Sequence, residues 1–559
     1  MALKILYKKD DLRYIFFTGN SNELKMLENY LNKIPPYMFL PSFNGIPRPE
    51  VFLNKFKSKS GDTIYYCHSG LWKTIYDWCE KNYIEITGID NYFKYNDFNL
   101  SIEEFTNYIN SWQLNINPRE YQIKAAWVIL KYRQSLSQLA TRAGKTLIAY
   151  IVFRYMLENG AKKILMVVPS IQLVKQGVED FKEYKEFFQS ETIWAKSEYC
   201  ESANLTIGTY QSLVQRADKK SKKYNPSFFN DYDLICIDEA HHLVCKSINT
   251  ILNQDFMKNV RLKFGFTGTL PKEDTIESFC CHSLMGPTVQ DLTTKELVDD
   301  GFLAEPIIKQ IRIQYDKDDL INDYIRCGEY LCSSDKLVNK KKVLLPKEQR
   351  EFTMQYEKVL PYTLKQLKPL YEPEEYMSYL CDLCKSKGAN LLMLEQMLVH
   401  RSKKRLDVMD NILKNINKNC IVFAHHSEYL TFLEKHFKEM FPEKIIYIIK
   451  GSTNLKKRQK ILDEMLENDN VILVASYGCC GTGLTFKNVD YCIFAQSFKS
   501  EIIVRQSLGR MLLKTKEKSK AYIYDIVDCF PTKRLYLQGL SKIKTYKQDG
   551  FEYSIENIN

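Results

Sequence analysis

The length, composition and charge of the chain exclude several classes of protein. Its 559 residues are 45% hydrophobic and 26% charged. That is typical of a globular protein, and the chain is too long for one ordinary core, so three or four domains are expected. No run reaches the roughly 18 apolar residues that span a bilayer, and the N-terminal stretch is charged where a signal peptide is apolar. Membrane-spanning and secreted proteins are therefore excluded, and a soluble cytoplasmic protein is expected.

The net charge and the cysteine pattern indicate the kind of binding partner and the redox compartment of the protein. The formal net charge is +11, and the chain contains sixteen cysteines. Basic clusters occur at 219–223, 340–342, 400–405, 456–458 and 514–520. Their recurrence indicates a polyanionic partner but does not distinguish DNA from RNA. Cys381 and Cys384 form a single C-x-x-C without a second pair, which favours reduced cysteines over a metal site and indicates a reducing compartment.

The first element in chain order is a small α+β unit, predicted at residues 1–104. Its opening stretch, "LKILYKKDDLRYIFFTG", alternates apolar and polar residues and predicts a hairpin. The following "ELKMLENYLNKI" has the spacing of a helix, as has "GLWKTIYDWCEKNY" at 70–83. This unit is expected to have its own core.

Two larger α/β units are predicted after it, because short apolar runs alternate with helical stretches. Residues 105–304 and 305–530 are the predicted limits, with a helical insertion at about 315–395 and a tail at 531–559. Predicted strands include "KILMVVP", "LTIGT", "YDLICID" and "LKFGFTGT" in the first unit and "NCIVFAH", "KIIYIIK", "NVILVAS", "YCIFAQ" and "AYIYDIV" in the second. Such alternation favours parallel sheets covered by helices on both faces.

A phosphate-binding loop is predicted at "LATRAGKT", which lies between a short strand-like stretch and a helical pattern. Leu139 stands where the usual GxxxxGK[ST] pattern begins with glycine. Backbone N–H groups at the helix N-terminus are expected to bind the phosphates of ATP. Gly144 would allow close approach, Lys145 would bridge the β- and γ-phosphates, and Thr146 would ligate Mg²⁺.

An acidic pair ends a buried strand about ninety residues later, in "ICIDEAHH". Asp238 is expected to hold Mg²⁺, and Glu239 to orient the attacking water as a base. A lone "DEA" is also consistent with a helix cap, but two strand-end motifs in this order favour a nucleotide site.

With "GKT", "DEAH" and "GFTGTLP" in this order, the chain resembles a superfamily 2 DEAH-box helicase. Within that superfamily it resembles the UvsW family of phage recombination and repair helicases, on "VASYGCCGTGLTFKNVDYCIFAQSFKSEIIVRQSLGRML" and on the N-terminal unit. The resemblance implies two RecA-like domains that share one ATP, with the N-terminal unit as a DNA-binding accessory domain.

The resemblance also assigns further residues. "NPREYQ" is similar to the adenine-recognition element, "TGT" to the motif that couples hydrolysis to domain movement, and "RQSLGRML" to the motif that reaches the γ-phosphate. The implied nucleotide-site residues are Arg119, Gln122, Thr141, Arg142, Ala143, Gly144, Lys145, Thr146 and Gly483, with Gln506 and Arg510 added for catalysis. The implied nucleic-acid contacts are Pro169, Ser170, Gln176, Thr209, Gln211, Ser212, Gly451 and Thr482, and the implied coupling residues are Thr267, Gly268 and Thr269.

One position departs from the family pattern. The motif Q-x-x-G-R-x-x-R ends here in Leu513, where the arginine finger usually stands, and Lys514 follows it. Three interpretations stay open: Arg510 suffices with help from Lys514, hydrolysis is slow, or the protein binds ATP and DNA with scarcely any turnover. A lysine supplies charge without the planar fork of arginine.

The motifs thus predict an ATP-dependent helicase or translocase, and the resemblance implies that it acts on branched DNA, with RNA–DNA hybrids as a further substrate class. The resemblance implies 3′→5′ movement, work in recombination, replication and repair, recombination or single-strand-binding proteins as partners, and a monomer. Two alternatives are the motor of a restriction or defence system and an ATP-gated DNA-binding module.

Overall fold

The chain forms two compact units, residues 1–297 and 298–559. The structure, a computed structural model, describes residues 3–8, 11–35, 38, 50–88, 98–193, 202–333, 398–400, 402–480, 486, 488–496, 500–530 and 534–559. Most of the predicted helical insertion lies outside these residues, and so do Cys381 and Cys384.

An N-terminal sheet, whose core also includes Phe279 of a later helix, occupies the first part of the first unit. Asn20 caps α1 by accepting the Asn22 N–H at 2.9 Å, and Leu24, Leu27 and Leu31 on one face of that helix are buried against the sheet. The predicted hairpin and both predicted helices are present. The elements are β1 Leu3–Lys8, β2 Asp11–Thr18, α1 Ser21–Leu31, β3 Asn54–Lys57, β4 Thr63–His68, α2 Trp72–Lys81 and β5 Ile86–Thr87, with strand order β3-β4-β2-β1-β5.

A seven-stranded parallel sheet follows in the same unit. Four of its strands, β7, β9, β10 and β11, are buried along their whole length because helices cover both faces. The strands are β6 Gln134–Leu139, β7 Ile164–Val168, β8 Ser190–Ile193, β9 Leu205–Thr209, β10 Leu234–Ile237, β11 Leu262–Thr267 and β12 Thr288–Leu292, in the order β12-β6-β11-β10-β7-β9-β8. The helices are α3 Ile102–Ser111, α4 Glu120–Lys131, α5 Lys145–Glu158, α6 Ile171–Tyr184, α7 Tyr210–Ala217, α8 Lys246–Leu252, α9 Ile276–Met285 and α10 Thr294–Asp299.

The second unit repeats the pattern with another seven-stranded parallel sheet. Its strands are β13 Glu305–Gln314, β14 Cys420–Ala424, β15 Ile445–Ile449, β16 Val471–Ser476, β17 Tyr491–Phe494, β18 Lys520–Cys529 and β19 Tyr553–Ile558, in the order β15-β16-β14-β17-β18-β13-β19. Its described helices are α11 Lys317–Ser333, α12 Lys403–Lys414, α13 Ser427–Met440, α14 Leu455–Glu467, α15 Tyr477–Cys480, α16 Glu501–Met511 and α17 Arg534–Gln548. The predicted fold class, two RecA-like sheets and a small α+β unit, is confirmed.

Within the segment predicted as a tail, 531–559, the structure describes residues 534–559, which add a helix and a strand to the second unit. They form α17 and then β19, which pairs in parallel with β13 from Ile308↔Tyr553 to Ile313↔Ile558. The pattern of β19 did not indicate a strand, because an edge strand exposes most of its side chains and needs no apolar run.

Across the parts of the chain that the structure describes, each helix is too short or too polar to cross a bilayer.

Candidate nucleotide site

The phosphate-binding loop lies between β6 and α5, as its sequence predicts. Gly144 caps the N-terminus of α5 in the left-handed conformation, with φ +78°. Arg142 also has a positive φ of 76°, and the Ala143 N–H donates to Ala140 O at 3.1 Å, so the loop turns tightly without a glycine at Leu139. Lys145 and Thr146 are the first two residues of the helix.

Two residues of α4 support this loop from behind. Gln122 is 6% exposed; its amide donates to Ala143 O at 3.0 Å and accepts the Arg119 N–H at 2.9 Å. The Tyr121 hydroxyl also donates to Ala143 O at 3.0 Å. The structure therefore places Gln122 against the loop backbone, and Tyr121 is a supporting residue that sequence reasoning missed. An adenine contact by Arg119 and Gln122 stays a prediction.

The acidic pair follows β10. The Glu239 N–H donates to Asp238 Oδ1 at 3.0 Å, and Glu239 has a positive φ of 54°. This conformation turns the chain sharply at the strand end, where a 3₁₀ helix then begins at Ala240. Both carboxylates therefore stand at the carboxyl edge of the sheet.

His241 lies between Glu239 and the predicted coupling motif and is hydrogen-bonded to Thr267. His241 Nδ1 lies 3.3 Å from Glu239 Oε2 and 3.1 Å from Thr267 Oγ1. The Thr267 hydroxyl donates to Thr269 O at 2.8 Å and accepts the Thr269 N–H at 3.2 Å. Since that hydroxyl proton is used on Thr269, the His241 tautomer that satisfies this arrangement carries its proton on Nδ1.

Burial keeps His241 neutral. It lowers the pKa of this imidazole to about 4, and the charges of His242 and Lys145 act in the same direction, while Glu239 opposes them. A neutral imidazole donates its Nδ1–H to Thr267 Oγ1 and carries no positive charge that would attract a phosphate.

The loop, the acidic pair and the coupling motif meet at one edge of the sheet. They follow β6, β10 and β11, and β11 is bonded to both other strands. A Cβ at Gly268 would lie 3.8 Å from Lys145 Nζ and 3.9 Å from Thr141 Oγ1. Ligands of parallel α/β sheets bind at this carboxyl edge.

The donor set fits a nucleotide with Mg²⁺. Thr146 offers a hydroxyl and Asp238 a carboxylate, which are the hard oxygen ligands that Mg²⁺ takes beside phosphate oxygens and water. The N-terminus of α5 offers backbone N–H groups and a lysine for the phosphates.

The predicted nucleic-acid contacts of the first unit lie further along the same edge. β7 and β9 are neighbours with Val168 opposite Thr209, so Pro169 and Ser170 leave the sheet beside the turn that follows β9. Ser170 caps α6, and Thr209, 4% exposed, donates to Ser212 Oγ at 3.0 Å. Gln211 is exposed and Gln176 is half-buried on α6.

In the second unit, Gly451 lies in an exposed turn before α14. The Arg458 guanidinium holds this turn by donating to Gly451 O at 2.9 Å and Thr453 O at 2.8 Å. Thr482 and Gly483 lie outside the described residues.

Gln506 and Arg510 are half-buried and lie four residues apart on α16, hence on one face of that helix. Lys518, 3% exposed, donates to the carbonyl of Met511 at the helix C-terminus and to that of Val489. This contact fixes the end of α16 on which Arg510 lies.

Two family models match the chain in the order of its two parallel sheets. The model described as the type III restriction enzyme res subunit covers residues 115–272, and the helicase conserved C-terminal domain covers 403–512. The first includes the loop, the acidic pair and the coupling motif, and the second ends with α16. The chain belongs to the superfamily 2 helicases.

Curated relatives of this helicase cover most of its length. It is 25% identical over 490 residues to the ATP-dependent DNA helicase uvsW of Enterobacteria phage T4, with 82% of each chain covered. It is 24% identical over 417 residues to the DNA 3′-5′ translocase XPB2 of Sulfurisphaera tokodaii, covering 74% of this chain and 82% of that one. The protein is an ATP-dependent helicase.

A solved structure supports the fold of the helicase. The ATP-dependent type ISP restriction-modification enzyme LlaBIII, bound to DNA, matches with a TM-score of 0.52 at 14% identity, over 79% of this chain and 31% of that one. At this identity the likeness concerns the fold alone.

Leu513, which stands where the family has an arginine, and the neighbouring Lys514 both contact the segment 301–304. Leu513 forms an antiparallel bridge with Leu303, and Ala304 N–H donates to Leu512 O at 2.8 Å. The Lys514 ammonium donates to Gly301 O at 2.9 Å. The cation that follows Leu513 thus already bonds to a carbonyl within its own unit.

Proposed function

We propose that this helicase acts on branched DNA, moves 3′→5′ and serves recombination, replication and repair. The observation that carries the proposal is that His241 lies 3.3 Å from Glu239 Oε2 and bonds to Thr267, at the sheet edge where Lys145 and Asp238 also lie. The names of two relatives, a DNA helicase and a 3′-5′ translocase, supply the substrate class and the direction.

The residues of the first unit would divide the chemistry among them. Lys145 and the N–H groups of α5 bind the phosphates, Thr146 and Asp238 hold Mg²⁺, and Glu239 orients the attacking water. When bound, the metal neutralises charge on the phosphate oxygens. Arg119, Gln122, Thr141, Arg142 and Ala143 complete the nucleotide pocket, and Gly483 is proposed to join them from the second unit.

Arg510, oriented on α16 beside Gln506, is the proposed cation for the developing charge on the γ-phosphate. An arginine in this role is worth a factor of about 10³–10⁵ in turnover. A change at Glu239 during hydrolysis would displace His241 and, through it, Thr267. We propose that the Thr267–Gly268–Thr269 segment in this way couples hydrolysis to movement along the DNA strand.

The DNA backbone is proposed to contact Pro169, Ser170, Gln176, Thr209, Gln211, Ser212, Gly451 and Thr482. Backbone contacts carry little sequence information, so binding is expected to depend on DNA structure and to weaken with salt. We further propose a monomer in the cytoplasm, with recombination or single-strand-binding proteins as partners.

The test is an ATPase assay with single-stranded, duplex, forked and RNA–DNA hybrid ligands, with unwinding measured in parallel. Forked DNA should give the largest stimulation, and Lys145→Ala should abolish hydrolysis. Lys162→Ala, at an exposed position beyond α5, is the control. Hydrolysis that survives Lys145→Ala would refute the site, and equal stimulation by every ligand would refute the substrate class.

A restriction or defence motor is the second candidate, favoured by the family model that matches residues 115–272. Such a motor works with a nuclease. Stable co-purification with a nuclease subunit, together with ATP-dependent DNA cleavage, would favour it over a repair helicase.

A further inference from the structure

The loop that carries the coupling motif ends at Asp274, and the N-terminal unit holds this residue. The Tyr30 hydroxyl of α1 donates to Asp274 Oδ1. The Lys33 ammonium, just after α1, donates to Asp274 O at 2.5 Å. One residue of the loop is therefore bonded through its side chain and through its backbone to an element more than 240 positions earlier.

The backbone at Asp274 needs such support. Its φ is +59°, a left-handed conformation that costs a residue with a side chain roughly 1 kcal/mol or more. Thr275, the next residue, caps α9 by accepting the Ser278 N–H at 3.2 Å and donates to Lys272 O at 2.7 Å. Loss of the bonds to Asp274 would allow this end of the loop to relax.

Tyr30 and Lys33 pack against the aromatic rings of Trp78 and Phe279. The Tyr30 ring stacks on Trp78 at 5.6 Å and meets the edge of Phe279 at 5.5 Å. Lys33 Nζ lies 4.9 Å from the centre of the Phe279 ring. Burial, together with the bond to Asp274, raises the pKa of the Tyr30 phenol, so the hydroxyl is protonated and can donate at neutral pH.

The opposite end of the loop is bonded to the catalytic edge. Thr267 contacts His241, which contacts Glu239. The segment from Gly268 to Glu273 is thus the only stretch of chain between the Thr267 contact and the Asp274 contact. A displacement of Asp274 would act on a short loop whose other end is part of the Glu239 network.

We propose that Tyr30 and Lys33 are positioning residues of the helicase, which hold the 268–274 loop so that hydrolysis is coupled to movement on DNA. This inference rests on the proposed role of Thr267, Gly268 and Thr269. It gives the N-terminal unit a part in the motor cycle that is separate from any contact with DNA.

The experiment uses the full chain and three variants. Tyr30→Phe keeps the stacked ring and removes the donor, Lys33→Met keeps the length and removes the ammonium, and Asp274→Gly keeps the positive φ and removes the carboxylate. Tyr65→Phe makes the same chemical change on β4, away from Asp274, and is the matched control. Hydrolysis, unwinding and amide hydrogen exchange of residues 268–275 are measured for each.

Tyr30→Phe should lower the DNA unwound per ATP hydrolysed by about three- to tenfold, the factor that corresponds to one hydrogen bond. The KM for ATP should stay within about twofold, since the phosphate-binding residues are not touched. Exchange in 268–275 should be faster. Combining Tyr30→Phe with Asp274→Gly should add little to either change alone, because both remove the same bond.

The inference would be overturned if Tyr30→Phe unwound as much DNA per ATP as the wild type, whether or not exchange is faster. It would also be overturned if Tyr30→Phe and Tyr65→Phe lost the same amount of DNA unwound per ATP.

Failure of the proposed function would give a different result. If the wild-type chain hydrolyses ATP but unwinds no DNA, the proposed function fails. The inference is then decided on the kcat for ATP hydrolysis, which Tyr30→Phe should lower by about threefold, because the other end of the loop contacts the residues around Glu239.

Discussion

Arg505 and Asp549 form a two-pronged ion pair, with Nε 2.9 Å from Oδ2 and Nη2 2.8 Å from Oδ1. Both side chains are mostly buried, at 22% and 14% exposed. The pair joins α16, which carries Gln506 and Arg510, to the residue that follows α17. The C-terminal segment therefore positions the helix proposed to act on the γ-phosphate.

Asp549→Asn should reduce the turnover of ATP, because it removes the charge of this fork and loosens α16. A charge-assisted bond is worth about 1.5–3 kcal/mol, so a reduction of roughly tenfold is expected in kcat, with the KM for ATP little changed. The control is Glu556→Gln, since the Lys309–Glu556 pair on β13 and β19 is exposed at 43% and 45% and should contribute little. Equal kcat in wild type and Asp549→Asn would contradict this role.

Gly144→Ala should abolish ATP binding. A Cβ at this position would lie 2.1 Å from Gln122 Nε2, so Gln122 must leave Ala143 O and the loop loses its support. Gly160→Ala is the matched control, because Gly160 has φ +87° but no atom within 4 Å of its Cβ position. Both variants should lose roughly 1 kcal/mol of stability from the left-handed backbone, measured by denaturant unfolding. Only Gly144→Ala should lose binding in a titration with a fluorescent ATP analogue.

Arg510→Ala should lower turnover by a factor of about 10³ or more, if Arg510 alone supplies the positive charge. Lys514→Met should change turnover less than about twofold, because that ammonium bonds to Gly301 O. Leu513→Arg separates the remaining interpretations in a steady-state phosphate-release assay. Unchanged turnover is expected; a large gain would mean that the finger is missing, and negligible turnover in the wild type would favour the DNA-binding module.

The folded protein should lose stability as the pH falls from about 6.5 to about 4. Burial lowers the pKa of both His68 and His241 to about 4, and also lowers the pKa of His242, His282 and His426. In this window the unfolded chain binds protons at these residues and the folded chain does not, so the free energy of unfolding decreases with falling pH.

His68→Gln is the test of that pH dependence. Carboxylates titrate in the same window, so the comparison is between the variant and the wild type in thermal midpoints from pH 4 to pH 8. The variant should show a shallower loss below pH 6.5. Parallel curves would mean that His68 does not bind fewer protons when folded.

Strand prediction succeeded where burial was complete. Buried parallel strands such as β7 and β10 are continuous apolar runs, and such runs are readable in a single sequence. The edge strands β12 and β19 are partly exposed and polar, so their sequences carry no such signal. For that reason the sequence of the predicted C-terminal tail, 531–559, gave no indication of β19.

The sequence by itself determined where the two nucleotide-site motifs lie, "TRAGKT" at a strand–helix junction and "DEAH" at a strand end. Each of these requires only short-range chain geometry. Only the tertiary structure decided what supports these motifs. Gln122 and Tyr121 behind the loop, Asp549 beside Arg505, and Tyr30 on Asp274 are contacts across 21, 22, 44 and 244 positions. Side chains so distant along the chain meet only because the sheets and their covering helices bring them together, and no local pattern encodes that proximity.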